Sequence, residues 1–262
     1  MSQEILHQHR DIWQHKPVLR AIYQDFYRRS VTSCRPGPSL EIGGGSGKLK
    51  EYVANVISTD IVAAPWLDAA TDAQALAFAD ESFANVVGVD VLHHLEHPAR
   101  FLAEGQRVLR PGGRIILLEP AISPISWMVY SLFHPEPLEM SADPLATGIP
   151  NPSRQPFDSN QAIPTLLFGR HRERLRVLFP ALEIAQYERL SFLAYPLSGG
   201  FRSWSLPPLA AVRPVLSWET RMKRILGPLM AFRLFVVIEK SSTSGRVGKV
   251  KSPHGHVATP AQ

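Results

Sequence analysis

Between Pro38 and Pro120, short apolar runs alternate with stretches of helical periodicity, and this alternation restricts the available folds more than any other feature of the chain. Ser39–Ile42 reads as a short buried strand that opens at Gly43–Gly47 into a turn, with a helix expected around Leu49–Val53. Asn55–Thr59 is a second strand and ends at Asp60. Ala84–Val91 is rich in valine and mainly apolar, the pattern of a strand covered on both faces. Phe101, Leu102, Val108 and Leu109 mark the apolar side of a helix closed by Pro111-Gly112-Gly113, and Arg114–Leu118 is a further strand ending in Glu119-Pro120. Strand and helix alternating at this spacing predict a parallel sheet with right-handed crossovers, an α/β doubly wound fold. Leu182–Ser191 and Phe232–Glu239 are expected to close the sheet.

The flanking regions read differently. Residues 4–33 carry Ile5, Ile12, Leu19, Ile22 and Phe26 at helical spacings, stopped by Arg35–Pro38, so 1–37 is expected to form a helical cap. Ten of the 23 prolines fall between Pro120 and Pro180, among Trp127, Tyr130, Phe133, Phe157 and Phe168. So many prolines preclude one long helix, and 121–181 is expected to be an ordered insertion, a lid after the fifth strand. The main domain is thus 1–240, and 241–262, small, polar and basic, is expected to be a disordered tail.

Composition excludes several classes. A single cysteine, Cys34, rules out an internal disulfide and any multi-cysteine metal centre; no metal is expected, and the expected compartment is the reducing cytoplasm. The longest apolar run, Ile115–Phe133, contains Glu119, Pro120 and Pro124 and is not a membrane span. Arg246, Lys249 and Lys251 lie beyond Lys240 with no acid among them and account for +3 of the net charge of +5, so no nucleic-acid partner is expected. Segment 204–235 mixes Trp204, Leu206, Leu209, Trp218, Ile225, Leu226 and Phe232 with Arg213, Arg221, Lys223 and Arg224. Such a mixture suits peripheral contact with an anionic bilayer; burial of its apolar residues against the sheet is the preferred reading.

The turn Leu40-Glu41-Ile42-Gly43-Gly44-Gly45-Ser46-Gly47 sits at the carboxyl end of the first strand, where open α/β sheets bind ligands. Its glycines are spaced G-x-G-x-G. A dinucleotide fingerprint would need glycine at Lys48 or Lys50, and a phosphate loop would need Ser or Thr at Leu49. Asp60 ends the second strand, where a carboxylate can accept from both hydroxyls of a ribose, and Asp72 is placed to accept from an exocyclic amine.

With these residues in view the chain resembles the class I S-adenosylmethionine-dependent methyltransferases, particularly the branch with small-molecule and quinone methyltransferases. LEIGGGSG at 40–47, STD at 58–60, DAQALAFADESFANVVGVDVLHHLEHP at 72–98 and RVLRPGGRIILLEP at 107–120 carry the resemblance. It implies a Rossmann-like sheet of seven strands, the last antiparallel, with S-adenosyl-L-methionine as cofactor. Glu41, Gly43, Gly44, Gly45 and Gly47 would surround its methionine part, Asp60 and Ile61 its ribose, Asp72 and Ala73 its adenine, and Asp90 its sulfonium. Ala77 departs from the family, where proline is common.

His93 and His94 are candidate general bases, the alternative being that Leu92–Leu95 opens a helix in which they pack or cap. Glu119 is expected as a substrate-facing acid. Tyr130, His134, Glu136, Asn160 and Gln161 are the candidate substrate contacts of the lid. Lys16 or Arg20, on the helical cap, is a candidate for the cofactor's carboxylate; solvated helix charge is the alternative. The expected activity is methyl transfer to O, N or C of a small or lipophilic molecule. A catalytically silent cofactor-binding protein on the same fold is the second reading.

Overall fold

The computed structural model describes residues 2–149 and 151–242. Seven strands form one sheet: β1 (Ser39–Ile42), β2 (Val56–Asp60), β3 (Ala69–Ala70), β4 (Phe83–Val89), β5 (Leu109–Pro120), β6 (Leu182–Leu190) and β7 (Arg233–Lys240). Their order is β3-β2-β1-β4-β5-β7-β6. The β1–β5 pairs are parallel, and β7 alone runs antiparallel between β5 and β6. The expected seven-stranded, mainly parallel sheet is the observed one. Expected tail residues 243–262 lie outside the described residues.

Alternate side chains of the central strands enter different cores. Leu40, Ile42, Val86, Ile115, Leu117, Leu234 and Val236 pack with Phe101, Leu102 and Val108 of helix α3 (Pro98–Val108) on one face. Val87, Ile116, Leu118, Phe235 and Val237 pack on the other against Leu19, Ile22, Tyr23 and Phe26. A strand covered on both faces needs no polar alternation, which is why these runs read as continuously apolar. Each large side chain buried this way contributes about 1.5–3 kcal/mol.

The N-terminal residues form two helices, α1 (Ser2–His15) and α2 (Pro17–Ser33), broken at Lys16-Pro17. Residues 121–181 hold α4 (Pro124–Phe133), the short α5 (Ile163–Thr165) with a π turn at Leu166–Arg170, and α6 (Arg172–Leu178). Between β6 and β7 lie α7 (Ala194–Ser198) and the 22-residue α8 (Leu209–Met230).

Three local expectations are corrected. The helix expected at Leu49–Val53 is one 3-10 turn, Leu49–Glu51, because only residues 48–55 separate the glycine turn from β2. Lys16 neither meets solvent nor reaches the site: its ammonium donates to the carbonyls of Gly200 and Arg202, both at 2.7 Å. Arg20 donates to the carbonyls of Trp13 and Gln14, closing the end of α1. Burial also fails as the account of segment 204–235. Leu206 and Ile225 are about 70% exposed, and Trp204, Leu209 and Trp218 are exposed as well. Phe232 is buried and Leu226 packs partly on the core. Among the described residues, no helix is long and apolar enough to cross a membrane.

Candidate active site

A cavity of about 1050 Å³ opens at the carboxyl ends of β1, β2, β4 and β5. Glu41, Gly43, Gly44, Gly45, Asp60, Ile61, Asp72, Ala73 and Asp90 line it, together with His93, His94, Tyr130, His134, Glu136 and Gln161. Gly47, Glu119 and Asn160 do not.

The glycine turn shapes one wall. Gly45 has φ +47°, and a Cβ there would find open space, its nearest neighbour being the Gly43 carbonyl at 3.8 Å. Backbone is therefore bared to the cavity, which a ligand approaching closely requires. Gly47, at φ +70°, serves packing instead, since a Cβ would come within 2.6 Å of the Trp66 ring. Asp60 joins the turn to β2: its Oδ2 accepts from the Gly45 N–H at 3.0 Å and its Oδ1 from that of Val62 at 3.0 Å. Asp72 Oδ1 accepts from the Gln74 backbone at 2.8 Å and so turns the chain along the cavity edge.

Glu41 is buried under the turn and accepts from the Ser58 hydroxyl. Burial pushes its carboxyl up to about 7, and the Ser58 hydrogen bond only partly offsets this. The folded carboxyl holds its proton more tightly than the usual 4.5, so its support for the fold is complete below pH 4.5 and is lost as pH rises through 7. Glu41→Gln is therefore expected to match wild type in thermal unfolding at pH 4.5, and to gain up to about 3 kcal/mol over it at pH 8. An equal difference at both pH values would contradict this.

The far side of the cavity holds a chain of charges. Glu119, fully buried on β5, receives the backbone N–H groups of Val91 (3.0 Å) and Leu92 (2.8 Å) on Oε1. Its Oε2 lies 2.7 Å from His93 Nδ1. This corrects the expectation of a substrate-facing acid: Glu119 positions His93, and it is His93 that reaches the cavity. Burial works against charge on the His93 ring, but the Glu119 carboxylate, joined by Asp90 and Glu136, outweighs it and holds the pKa above the ordinary value. His94 is pushed down to about 4 by burial and by His93. Glu136 accepts from Ser159 Oγ at 2.8 Å and from Gln161. Asn160 is a brace and not a cavity contact. Its backbone donates to the His93 carbonyl at 2.8 Å, and its side chain receives the backbone N–H groups of Glu139 and Ala162.

Arg233, at the start of β7, was not among the expected site residues. It lines the cavity although only 2% exposed, with Nη2 2.5 Å from Asp90 Oδ1 and its guanidinium over the Tyr195 ring. Asp90 itself sits at φ +57° and accepts from Tyr23 Oη at 3.0 Å. Burial penalises the Asp90 carboxylate, but Arg233, His93 and the Tyr23 hydroxyl together outweigh it and keep the pKa below the usual range. One signal was present: a lone arginine ahead of the apolar run Leu234–Ile238.

Residues 40–117 match the family model described as a methyltransferase domain. This stretch of the chain is similar to methyltransferase domains. The cofactor that this resemblance implies is S-adenosylmethionine. The residues present fit it, with a bared backbone at Gly45 and the carboxylates of Asp60 and Asp72 on one cavity. A curated relative, phthiotriol/phenolphthiotriol dimycocerosates methyltransferase 1 of Mycobacterium ulcerans, is 47% identical over 58 residues, and the match spans only 21% of this chain and 21% of that protein. Among solved structures, a SAM-dependent methyltransferase from Archaeoglobus fulgidus is similar at TM-score 0.48 and 17% identity, over 84% of this chain and 94% of that one. The [4+2]-cyclase SpnF is similar at TM-score 0.47 and 17% identity, over 84% of this chain and 80% of that one.

Proposed function

We propose that the protein transfers the methyl group of S-adenosylmethionine to a small lipophilic acceptor. The observation that carries this reading is the single cavity. It joins the glycine turn, Asp60 and Asp72 at one end to His93, His94 and Glu136 at the other. S-adenosylmethionine supplies an electrophilic methyl on a sulfonium, and its transfer is an in-line displacement. The protein's task is then to align the acceptor, exclude water and manage the acceptor's proton. In this reading Glu41, Gly43, Gly44, Gly45, Asp60, Ile61, Asp72, Ala73 and Asp90 face the cofactor. Tyr130, His134, Glu136 and Gln161 face the acceptor, and the His93–Glu119 pair activates it. Residues 121–181 cover the acceptor end.

A lipophilic acceptor is supported by the cavity's rim. Phe133 and Trp204 line the mouth, and the Arg202 guanidinium donates to the Phe133 carbonyl at 3.0 Å, tying the two segments together. Trp127, Met128 and Leu132 on α4 and Leu206 beside Trp204 extend the exposed apolar surface. Grouped exposed apolar side chains of this kind mark contact with apolar ligands or membrane surfaces. The name of the Mycobacterium ulcerans relative, which specifies phthiotriol dimycocerosates, points the same way.

The test incubates the protein with methyl-labelled cofactor and, in parallel, lipid and aqueous extracts. Label entering the lipid phase, with stoichiometric S-adenosylhomocysteine, is the expected result. Cofactor binding without transfer to either extract would favour the catalytically silent reading.

A further inference from the structure

His93 and His94 lie just beyond β4, and Glu136 lies 42 residues on, past α4. One ligand atom from each of the three falls within 4.8 Å of the others, and all three residues line the cavity. With Nδ1 of His93 held by Glu119, its Nε2 faces Glu136 Oε2 at 3.6 Å. That distance is too long for a hydrogen bond. It is close to the separation of about 3.4 Å between two ligand atoms that each sit 2.0–2.1 Å from a tetrahedral cation. The surroundings fit the same role. A carboxylate behind the outer nitrogen of a ligating histidine fixes its tautomer and orientation, as Glu119 does for His93. Ser159 and Gln161 donate to the same Glu136 oxygen, Oε2, and fix where the carboxylate stands.

We propose that His93, His94 and Glu136 form a mononuclear divalent-cation site that carries the acceptor's oxygen in an open fourth position. Two imidazoles and one carboxylate favour zinc or a neighbouring transition metal over magnesium, which prefers oxygen ligands. Three protein ligands with one position open to a cavity is the arrangement of catalytic zinc sites. The inference rests on the methyl-transfer reading and narrows it to a hydroxyl or phenol acceptor. On the cation the acceptor's O–H bond breaks, the proton passes to solvent water, and the electron pair stays on the oxygen. His93 is then a ligand and not the base expected from its place in the sequence.

The experiment uses the full chain, stripped with a chelator and titrated with zinc chloride alone by calorimetry, with elemental analysis and the visible spectrum of the cobalt-loaded protein as further readouts. His94→Ala and Glu136→Gln are the variants, chosen because both side chains are only partly buried. Wild type is expected to take up one equivalent and to show the intense bands of tetrahedral cobalt. Each variant should bind at least 100-fold more weakly while its affinity for S-adenosylhomocysteine changes less than threefold. No zinc uptake by wild type, or equal uptake by the variants, overturns the site. S-adenosylhomocysteine binding measured alongside separates that failure from failure of the methyl-transfer reading.

Discussion

Replacing Asp60 by alanine is expected to weaken S-adenosylmethionine binding by about two orders of magnitude. The carboxylate lines the cavity and already fixes the glycine turn through the Gly45 N–H. Burial raises its pKa, with the backbone hydrogen bonds from Val62 and Gly45 opposing, so part of any gain from ribose contacts offsets desolvation. Two charge-assisted hydrogen bonds at about 1.5–3 kcal/mol each, less that penalty, leave about 3 kcal/mol. That corresponds to roughly 100-fold. Asp60→Asn keeps an acceptor for Gly45 and separates loss of charge from collapse of the turn; it should lose roughly tenfold. Calorimetric titration checks both. An alanine variant that binds as tightly as wild type would remove the ribose from this end of the cavity, and the cofactor's placement with it.

The second large effect is expected at a residue that touches no substrate. In Glu119→Gln the side-chain oxygen must stay on the Val91 and Leu92 N–H groups, because these are donors. The new amide nitrogen then points at His93 Nδ1, which must accept, and the ring's proton moves to Nε2. A nitrogen carrying that proton can neither take a proton from the acceptor nor hold a cation. Turnover should fall on the order of 10³- to 10⁴-fold, the scale of a histidine locked in the wrong tautomer. Cofactor affinity and melting temperature should stay near wild type. Nitrogen-15 chemical shifts of His93 would report the tautomer directly, and an unchanged shift with full turnover would remove Glu119 from its positioning role.

The strands of the nucleotide half were legible in the sequence because parallel strands buried on both faces leave valine-rich, mainly apolar runs such as Phe83–Val89. β3 was not: two exposed alanines carry neither periodicity nor hydrophobicity, and only their pairing with Thr59 and Asp60 makes them a strand. The glycine turn could be placed because it follows β1 directly, and Asp60 because it ends β2; Asp72 was placed by its distance from Asp60 and by the family resemblance. The acceptor side resisted for the opposite reason. Glu119 reads as an exposed strand-end acid until His93 and two backbone donors are seen to consume it. The Asp90–Arg233 pair joins residues 143 positions apart, and no local pattern encodes such a contact. Lys16 was misplaced for the same reason, since its partners lie at 200 and 202.

The first helix gives the core on one face of the sheet Trp13 and part of Ile12, while its Leu6 and His9 stand in the cleft wall and Lys16 ties the end of α1 to the loop at 200–202. Removing α1 alone, with α2 kept over the sheet, would therefore leave the strands of the nucleotide half in place while taking away one side of the vessel that must hold the reactants. A version shortened by that helix alone should fold yet let the cofactor wash out on a sizing column, so its inactivity would not count against the methyl-transfer reading.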